Sequence, residues 1–186
     1  MALFFFISKS STEAMVSIDI SFVACLIGLV LALYALHVED MHTKDPGFVS
    51  LCDFSEKSSC GHVFNTPQGK IWSYLGVIPK GHFLDQPNAL YGFIFYNVIA
   101  TLTFFKKNLV LSHLALALGL FSAVLSVYLG YILMFLIEGK DGTKGGHTCI
   151  LCMSTWACNF IIFGDTWRKM SKLRKELKES KSKKAN

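Results

Sequence analysis

Four apolar stretches constrain the fold of this chain more than any other feature of its sequence. They cover about 18–38, 89–105, 109–137 and 149–167. About 20 apolar residues cross a bilayer core of roughly 30 Å. Within lipid a segment must pair its own backbone polar groups, so each stretch is predicted to be a helix. The chain is 52% hydrophobic and only 17% charged, whereas soluble domains carry about 25% charged residues. The sequence therefore predicts an all-α membrane protein, a bundle of four transmembrane helices.

The distribution of Lys and Arg orients these spans. The connection 106–108 is short and basic, and the segment 168–186 holds nine Lys and Arg against two Glu. An excess of Lys and Arg marks the cytoplasmic side, so both segments are predicted to be cytosolic, and the N-terminal segment 1–17 follows by parity. The loop 39–88, with four Lys and six acids, and the connection 138–148 then lie on the lumenal side. The loop would form a cap between the first and second helices.

The basic tail 168–186 completes a three-part organisation, after the cytosolic segment 1–17 and the membrane domain 18–167. It carries more than the whole net charge of +5, so we predict no nucleic-acid partner. The tail is either an amphipathic or disordered stretch near anionic lipid headgroups, or a solvated charge run that only enforces topology. Its last four residues, Lys-Lys-Ala-Asn, resemble the dilysine retrieval signal of endoplasmic reticulum membrane proteins. We therefore expect a multi-pass protein of that membrane, with both termini cytosolic.

Four of the six cysteines fall on the predicted lumenal side, where disulfides are permitted. Cys52 and Cys60 lie in the loop, and Cys149 and Cys152 open the fourth span. Residues three apart on a helix share a face, so the sulfurs of the second pair can meet, as in redox-active C-x-x-C motifs. Thr148 is predicted as the N-cap, which places Cys149 in the first turn, where the helix dipole favours a thiolate. The two pairs together permit an electron relay from the loop to a molecule in the bilayer.

Other interpretations of the cysteines remain open. Four thiolates could hold zinc, but the spacing of Cys52 and Cys60 is not that of paired ligands, so no metal site is predicted. Two static disulfides could instead brace a non-enzymatic four-span scaffold of claudin-like type, although a disulfide between positions three apart adds little stability. Cys25 and Cys158 lie within spans and are expected to be small buried hydrophobic residues.

Several segments are together similar to the vitamin K epoxide reductase family of animals, over about residues 22–165. The matching segments are Cys25–Val38, Leu51-Cys52-Asp53, Ser59-Cys60, Val63-Phe64, Asn88 with Gly92 and Ile94-Phe95-Tyr96, Ser126–Leu129, and Cys149-Ile150-Leu151-Cys152. The resemblance implies an endoplasmic reticulum enzyme that reduces vitamin K 2,3-epoxide to the quinone, and the quinone to the hydroquinone, without a tightly bound cofactor. Coumarin-type inhibitors are possible ligands, and membrane lipid surrounds the bundle.

The resemblance also implies roles for individual residues. Cys152 would attack the substrate and Cys149 would resolve it as a disulfide. Cys52 and Cys60 would pass reducing equivalents inward from a lumenal thioredoxin-like protein. Since the same exchange chemistry runs in either direction, a quinone-linked oxidase that makes disulfides in lumenal proteins remains an alternative.

Three further residues are expected to bind substrate. Asn88 would hydrogen-bond a quinone oxygen and Phe64 would pack over the ring as a lid, whereas the residues alone suggest an N-cap and a loop-core aromatic. Trp156 stands where the family usually has Tyr, so an indole N–H replaces a hydroxyl as donor. The chain also departs from the family in a longer, Gly-rich connection 138–147 and in the segment 66–81.

Overall fold

The computed structural model describes residues 19–45, 47–55, 58–105, 108–138 and 144–185. These residues are mostly helical, and their extended segments pair only through isolated bridges. The helices are α1 (Ile20–Lys44), α2 (Cys60–Phe64), α3 (Ile71–Tyr74), α4 (Asn88–Leu102), α5 (Leu109–Phe135) and α6 (Ile150–Ala185), with 3₁₀ turns at Pro67–Gly69 and Thr103–Phe105. The predicted all-α architecture is confirmed. The segment 1–17, the Lys106-Lys107 turn and part of the connection 138–148 lie outside the described residues.

Three helical segments are long and apolar enough to cross a membrane: α1, α4 with its 3₁₀ extension, and α5. They coincide with the first three apolar stretches of the sequence. Helix α1 runs beyond the predicted boundary at 38, because polar residues continue it. Lys44 pairs with Asp40 one turn earlier, at 2.6 Å, and basic residues near a helix C-terminus are favoured by the dipole.

Helix α6 is 36 residues long, about 54 Å at 1.5 Å per residue. Its first half carries the fourth apolar stretch, and from Arg168 onward it is strongly charged. The sequence leaves open an amphipathic or disordered stretch and a solvated charge run for this tail, and the described part of the tail is helical. From Asp165 to Ala185 the chain contains neither Gly nor Pro and is rich in Lys, Arg, Glu and Leu, which have good helix propensity. The solvated side chains of the charged half leave it little tertiary packing.

The long helices pack with α1 against α4 and α6, and α5 against α6. One buried core includes Cys52, Cys60 and Cys149 and is built on Val38, Ile71, Ile132 and Leu133. A second core, which includes Cys25 and Cys158, surrounds Tyr96. Helices α5 and α6 approach closely at Gly119, where an added Cβ would lie 3.4 Å from the Cα of Phe163. Small residues at such positions allow membrane helices to come together.

At the end of the bundle away from the Cys52–Cys60 disulfide, a polar cluster joins α1 to α6. Lys169 Nζ lies 2.5 Å from Asp19 Oδ1 and 2.5 Å from Asp165 Oδ2. Ser21 is fully buried, and its hydroxyl donates to Asp165 at 2.5 Å. Asp19 also accepts from the Phe22 backbone N–H and so caps α1. One ammonium group thus neutralises two largely buried carboxylates.

Candidate active site

A buried disulfide joins Cys52 and Cys60 in the loop between α1 and α4, with their Cα atoms 5.9 Å apart. Ser59 accepts a hydrogen bond from the His62 N–H at 3.1 Å and caps α2. Cys60 is therefore the first residue of that short helix, and its position is fixed by the cap.

Asp53 holds the two flanks of this disulfide together. Its carboxylate accepts from the Ser50 N–H at 2.8 Å and from the Gly61 N–H at 3.3 Å. Burial raises the pKa of Asp53, but hydrogen bonds from Ser50, Ser59 and Gly61 outweigh this effect and hold the pKa below its usual range. The ionised carboxylate is thus part of the folded loop.

Replacing Asp53 by Ala is expected to speed reduction of the Cys52–Cys60 disulfide about tenfold, because two backbone donors lose their acceptor, an effect of about 1–3 kcal/mol. The loop then opens more often and exposes the buried sulfurs. The measurement is alkylation of the freed thiols after timed exposure to dithiothreitol. The exposed carboxylate of Asp45, which accepts only a local bond from Gly47, provides the control variant Asp45→Ala.

The effect of Asp53 is also expected to depend on pH. Because its folded-state pKa is depressed, the ionised group stabilises the loop above the ordinary carboxyl pKa. That contribution is lost as the pH falls through the lower folded-state value. The wild type and the Asp53→Ala variant should therefore converge in strong acid, measured as reduction of the disulfide by a phosphine, since dithiothreitol has no reactive thiolate there. A difference that persisted there would show that charge on this group is unimportant.

Cys149 lies immediately before α6, which begins at Ile150. Its sulfur accepts a hydrogen bond from the Cys152 backbone N–H at 3.3 Å, as an N-cap side chain does. The prediction of Thr148 as N-cap is wrong by one residue, because Thr148 is extended and forms a bridge with Ser58 of the loop. A backbone donor and the helix dipole both stabilise negative charge on the Cys149 sulfur.

The connection before Cys149 contains two glycines that are hydrogen-bonded near the C-terminal end of α5. Gly145 and Gly146 have φ of +77° and +71°, and their N–H groups donate to the carbonyls of Ile137 and Met134 at 2.7 and 2.9 Å. Glycine adopts this left-handed conformation without strain.

The sulfurs of Cys149 and Cys60 lie 3.5 Å apart, and both residues are fully buried. A free thiol therefore touches one sulfur of a disulfide. This is the arrangement from which thiol–disulfide exchange starts.

Beside the cysteines lies a largely apolar cavity of about 390 Å³, within the range of small-molecule sites. Cys152, Asn88, Phe64 and Trp156 all line it. The structure thus brings the predicted attacking thiol together with the three predicted substrate-binding residues. Cys149, Cys52 and Cys60 lie behind the cavity wall, in contact with one another.

The side chain of Asn88 joins the loop 39–88 to α4 and does not act as the N-cap of its own helix. Its Oδ1 accepts from the Ile71 N–H at 2.9 Å, and its Nδ2 donates to the Gln68 carbonyl at 2.8 Å. The residue before α4 is Pro87, and no side chain caps the helix there, so the N-cap interpretation of Asn88 is wrong. An amide nitrogen carries two N–H groups, and the second has no acceptor among the described residues.

A chain of hydrogen-bonded polar side chains, which the sequence analysis did not predict, lies on the cavity wall. The Tyr96 hydroxyl donates to Asn159 Oδ1 at 3.0 Å, and Asn159 Nδ2 donates to Ser126 Oγ at 2.8 Å. All three residues line the cavity. Asn159 lies seven residues after Cys152, so helical periodicity places it on the same face two turns away. That spacing was the signal that could have identified it.

The cavity opens sideways between α4 and α5. Ile94 and Val98 of α4 and Phe121 of α5 line it, yet each is also substantially exposed on the apolar outer surface. A ligand can therefore reach Cys152 from the side of the bundle.

The ligand atoms of Cys52, Asp53 and Cys60 lie within 4.8 Å of one another, close enough to hold a metal ion. While the disulfide is formed, its two sulfurs are not the thiolates that a zinc site requires. The geometry here favours redox chemistry over metal binding.

Comparison with known proteins identifies the family of this chain. Residues 20–167 match the model of the vitamin K epoxide reductase family. The chain is 33% identical over 141 residues to the mouse vitamin K epoxide reductase complex subunit 1, covering 73% of this chain and 79% of the relative. It is 32% identical over 136 residues to the rat protein of the same name, with the same coverage. The chain therefore belongs to the vitamin K epoxide reductase family and is an oxidoreductase of that type.

Proposed function

We propose that this chain uses thiols to reduce vitamin K 2,3-epoxide to the quinone, and the quinone to the hydroquinone, through a relay of two cysteine pairs. The observation that carries the proposal is the position of Cys149. Its sulfur lies 3.5 Å from Cys60 and accepts from the backbone of Cys152, which lines the cavity. One residue thus links the loop disulfide to the substrate cavity.

The relay begins when the dithiol of a donor protein reduces Cys52–Cys60 and itself becomes a disulfide. The Cys60 thiolate then attacks the sulfur of Cys149 in an oxidised Cys149–Cys152 pair, and the Cys152 thiolate leaves. Cys52 next attacks Cys60, which restores the loop disulfide and frees Cys149. In the structure Cys52 and Cys60 are joined, and Cys149 and Cys152 are free. In this scheme that is the state after two electrons have passed from the loop pair to the Cys149–Cys152 pair.

In the cavity, the Cys152 thiolate forms a C–S bond to an epoxide carbon, the C–O bond breaks, and the oxygen takes a proton. Cys149 then attacks the Cys152 sulfur, which releases the substrate carbon with its electron pair and leaves a Cys149–Cys152 disulfide. Loss of the hydroxyl group as water gives the quinone. A second round on the quinone, with uptake of two protons, gives the hydroquinone.

Three residues assist this chemistry in the proposal. The second N–H of Asn88 stabilises the developing enolate oxygen, as a preorganised donor does in a dry site. Phe64 covers the ring, and the indole N–H of Trp156 is a further donor. The apolar remainder of the cavity accommodates the hydrocarbon tail.

For the topology, we propose that α6 crosses the membrane over about 149–167 as the fourth span, within a membrane domain 18–167. The charged half of α6 beyond Arg168 then lies in the cytosol with the segment 1–17, in line with the distribution of Lys and Arg. The loop disulfide fits the oxidising lumen of the endoplasmic reticulum, where a thioredoxin-like protein is the proposed donor.

The decisive experiment is conversion of vitamin K 2,3-epoxide by membranes that contain the chain, driven by dithiothreitol and followed by chromatography. Both the quinone and the hydroquinone are expected products. If folded protein consumes neither the epoxide nor the quinone, the proposed function is overturned.

Replacing Cys60 by Ala is expected to separate the two halves of the relay. Turnover driven by a thioredoxin-like dithiol protein should fall at least about tenfold, since the transfer to Cys149 is removed. Turnover driven by dithiothreitol should persist, because a small thiol can reduce the Cys149–Cys152 pair directly. Cys25→Ala, a buried site outside the relay, is the control and should retain both activities. Equal loss with both reductants would instead place Cys60 in the substrate chemistry.

A further inference from the structure

Trp156 packs against a glycine on the neighbouring helix. A Cβ atom added to Gly130 of α5 would lie 3.3 Å from Cη2 and 3.5 Å from Cζ3 of the indole. About nine in ten real Cβ contacts are longer than 3.3 Å, so beside an alanine the ring would have to shift by a few tenths of an ångström. Trp156 lies one helical turn beyond Cys152, and both line the cavity. The six-membered ring of the indole therefore occupies the space that a side chain at position 130 would fill.

The backbone of α5 cannot absorb an added methyl group by moving away. Ile132 and Leu133, on the next turn, are 1% and 2% exposed and belong to the main core, where close packing resists displacement. The indole, in contrast, borders an open cavity. A methyl group at position 130 would therefore push the ring into the space beside Cys152.

We propose that Gly130 is a positioning residue that sets how far the Trp156 indole extends into the cavity, and thereby the size of the ring system that Cys152 can accept. Glycine keeps the indole against α5, which leaves room for a bicyclic naphthoquinone head group. This inference rests on the proposed function and adds a determinant of ring size to it.

A second glycine on the same helix shows what a purely packing role looks like. A Cβ atom added to Gly119 would lie 3.3 Å from Thr166 Oγ1 and 3.4 Å from the backbone Cα of Phe163, and neither residue lines the cavity. Substitution there should lower stability without a preference among substrates. At Gly130 the neighbour is a side chain that forms part of the cavity wall.

The test is a double-mutant cycle of Gly130→Ala and Trp156→Tyr, assayed with a naphthoquinone and a benzoquinone. Gly130→Ala is expected to raise KM for the naphthoquinone about tenfold, the scale of a methylene misfit in an apolar pocket, with a smaller effect on the benzoquinone and little change in kcat. The smaller Tyr ring removes the clash, so the double variant should bind the naphthoquinone as well as Trp156→Tyr does.

Two controls separate ring positioning from general damage. Gly164→Ala on α6 adds a methyl group that meets nothing within 4 Å; it should leave KM unchanged and should not lower the melting temperature, because Ala favours the helix more than Gly does. Gly119→Ala should lower the melting temperature, and Trp156→Tyr should not rescue it. The proposal is overturned if Gly130→Ala weakens both quinones equally, or if its defect persists in the double variant.

Quinone binding can also be followed without turnover, by quenching of tryptophan fluorescence. If Gly130→Ala weakens binding of the naphthoquinone more than that of the benzoquinone, yet the wild type turns over neither the epoxide nor the quinone, the proposed function fails and the role of Gly130 stands. If the wild type binds no quinone, the role of Gly130 is overturned as well.

Discussion

Replacing Cys152 by Ala is expected to abolish reduction of both vitamin K epoxide and quinone, with a loss of at least about 10³-fold. Removal of a nucleophile eliminates the covalent route altogether, and losses of this size or larger are typical. Cys152 is the cysteine that lines the cavity, and no other free thiol in the described part of the chain can take its place, since Cys149 faces the loop disulfide. Product formation with dithiothreitol measures the effect independently of the relay.

Cys158→Ala provides the matched control, because Cys158 lies on the same helix but is packed in the second core and does not line the cavity. It should retain turnover and lose only a modest amount of stability from the small void. Turnover above a few per cent in Cys152→Ala, in protein that melts like the wild type, would transfer the reactive role to another residue.

Replacing Lys169 by Met should destabilise the protein by about 2–4 kcal/mol, near the scale found when one partner of a buried ion pair is removed. The two carboxylates of Asp19 and Asp165 are 10% and 14% exposed and would face each other without the ammonium group between them. Methionine keeps the apolar stem, so the change isolates the charge. The apparent melting temperature in detergent should fall by roughly 4–16 °C.

Lys172→Met, at an exposed position on the next turn of α6, removes the same charge without touching the cluster and should leave the melting temperature unchanged. The double variant that also changes Asp165 to Asn should recover part of the loss, since one of the two carboxylates that contacted Lys169 is then neutral. An unchanged melting temperature in Lys169→Met would mean that water or lipid headgroups screen both acids.

Hydropathy and cysteine spacing predicted much of this architecture because both depend on local chemistry. The first three apolar stretches coincide with α1, α4 and α5, since lipid imposes helix on any apolar segment of that length. Cys149 lies immediately before α6 and Cys152 in its first turn, one residue from the predicted arrangement. Their spacing within one helical turn was predictable because it is a property of one helix.

What the sequence could not predict depends on contacts between distant segments. Cys149, not Thr148, precedes α6, because Thr148 forms a bridge with Ser58, ninety residues earlier in the chain. Asn88 hydrogen-bonds to the cap segment at Gln68 and Ile71 rather than to its own helix. The fit between Gly130 and Trp156 likewise exists only once α5 and α6 have packed.

The sideways opening of the cavity between α4 and α5 has a consequence for kinetics. For a substrate that arrives through the bilayer, the effective concentration is its amount per lipid molecule, not its amount per litre of water. At a fixed total amount of quinone, added lipid or detergent would dilute the substrate within the membrane phase and slow the enzyme, although the bulk concentration is unchanged. Michaelis constants for this chain therefore have meaning only as mole fractions in the membrane.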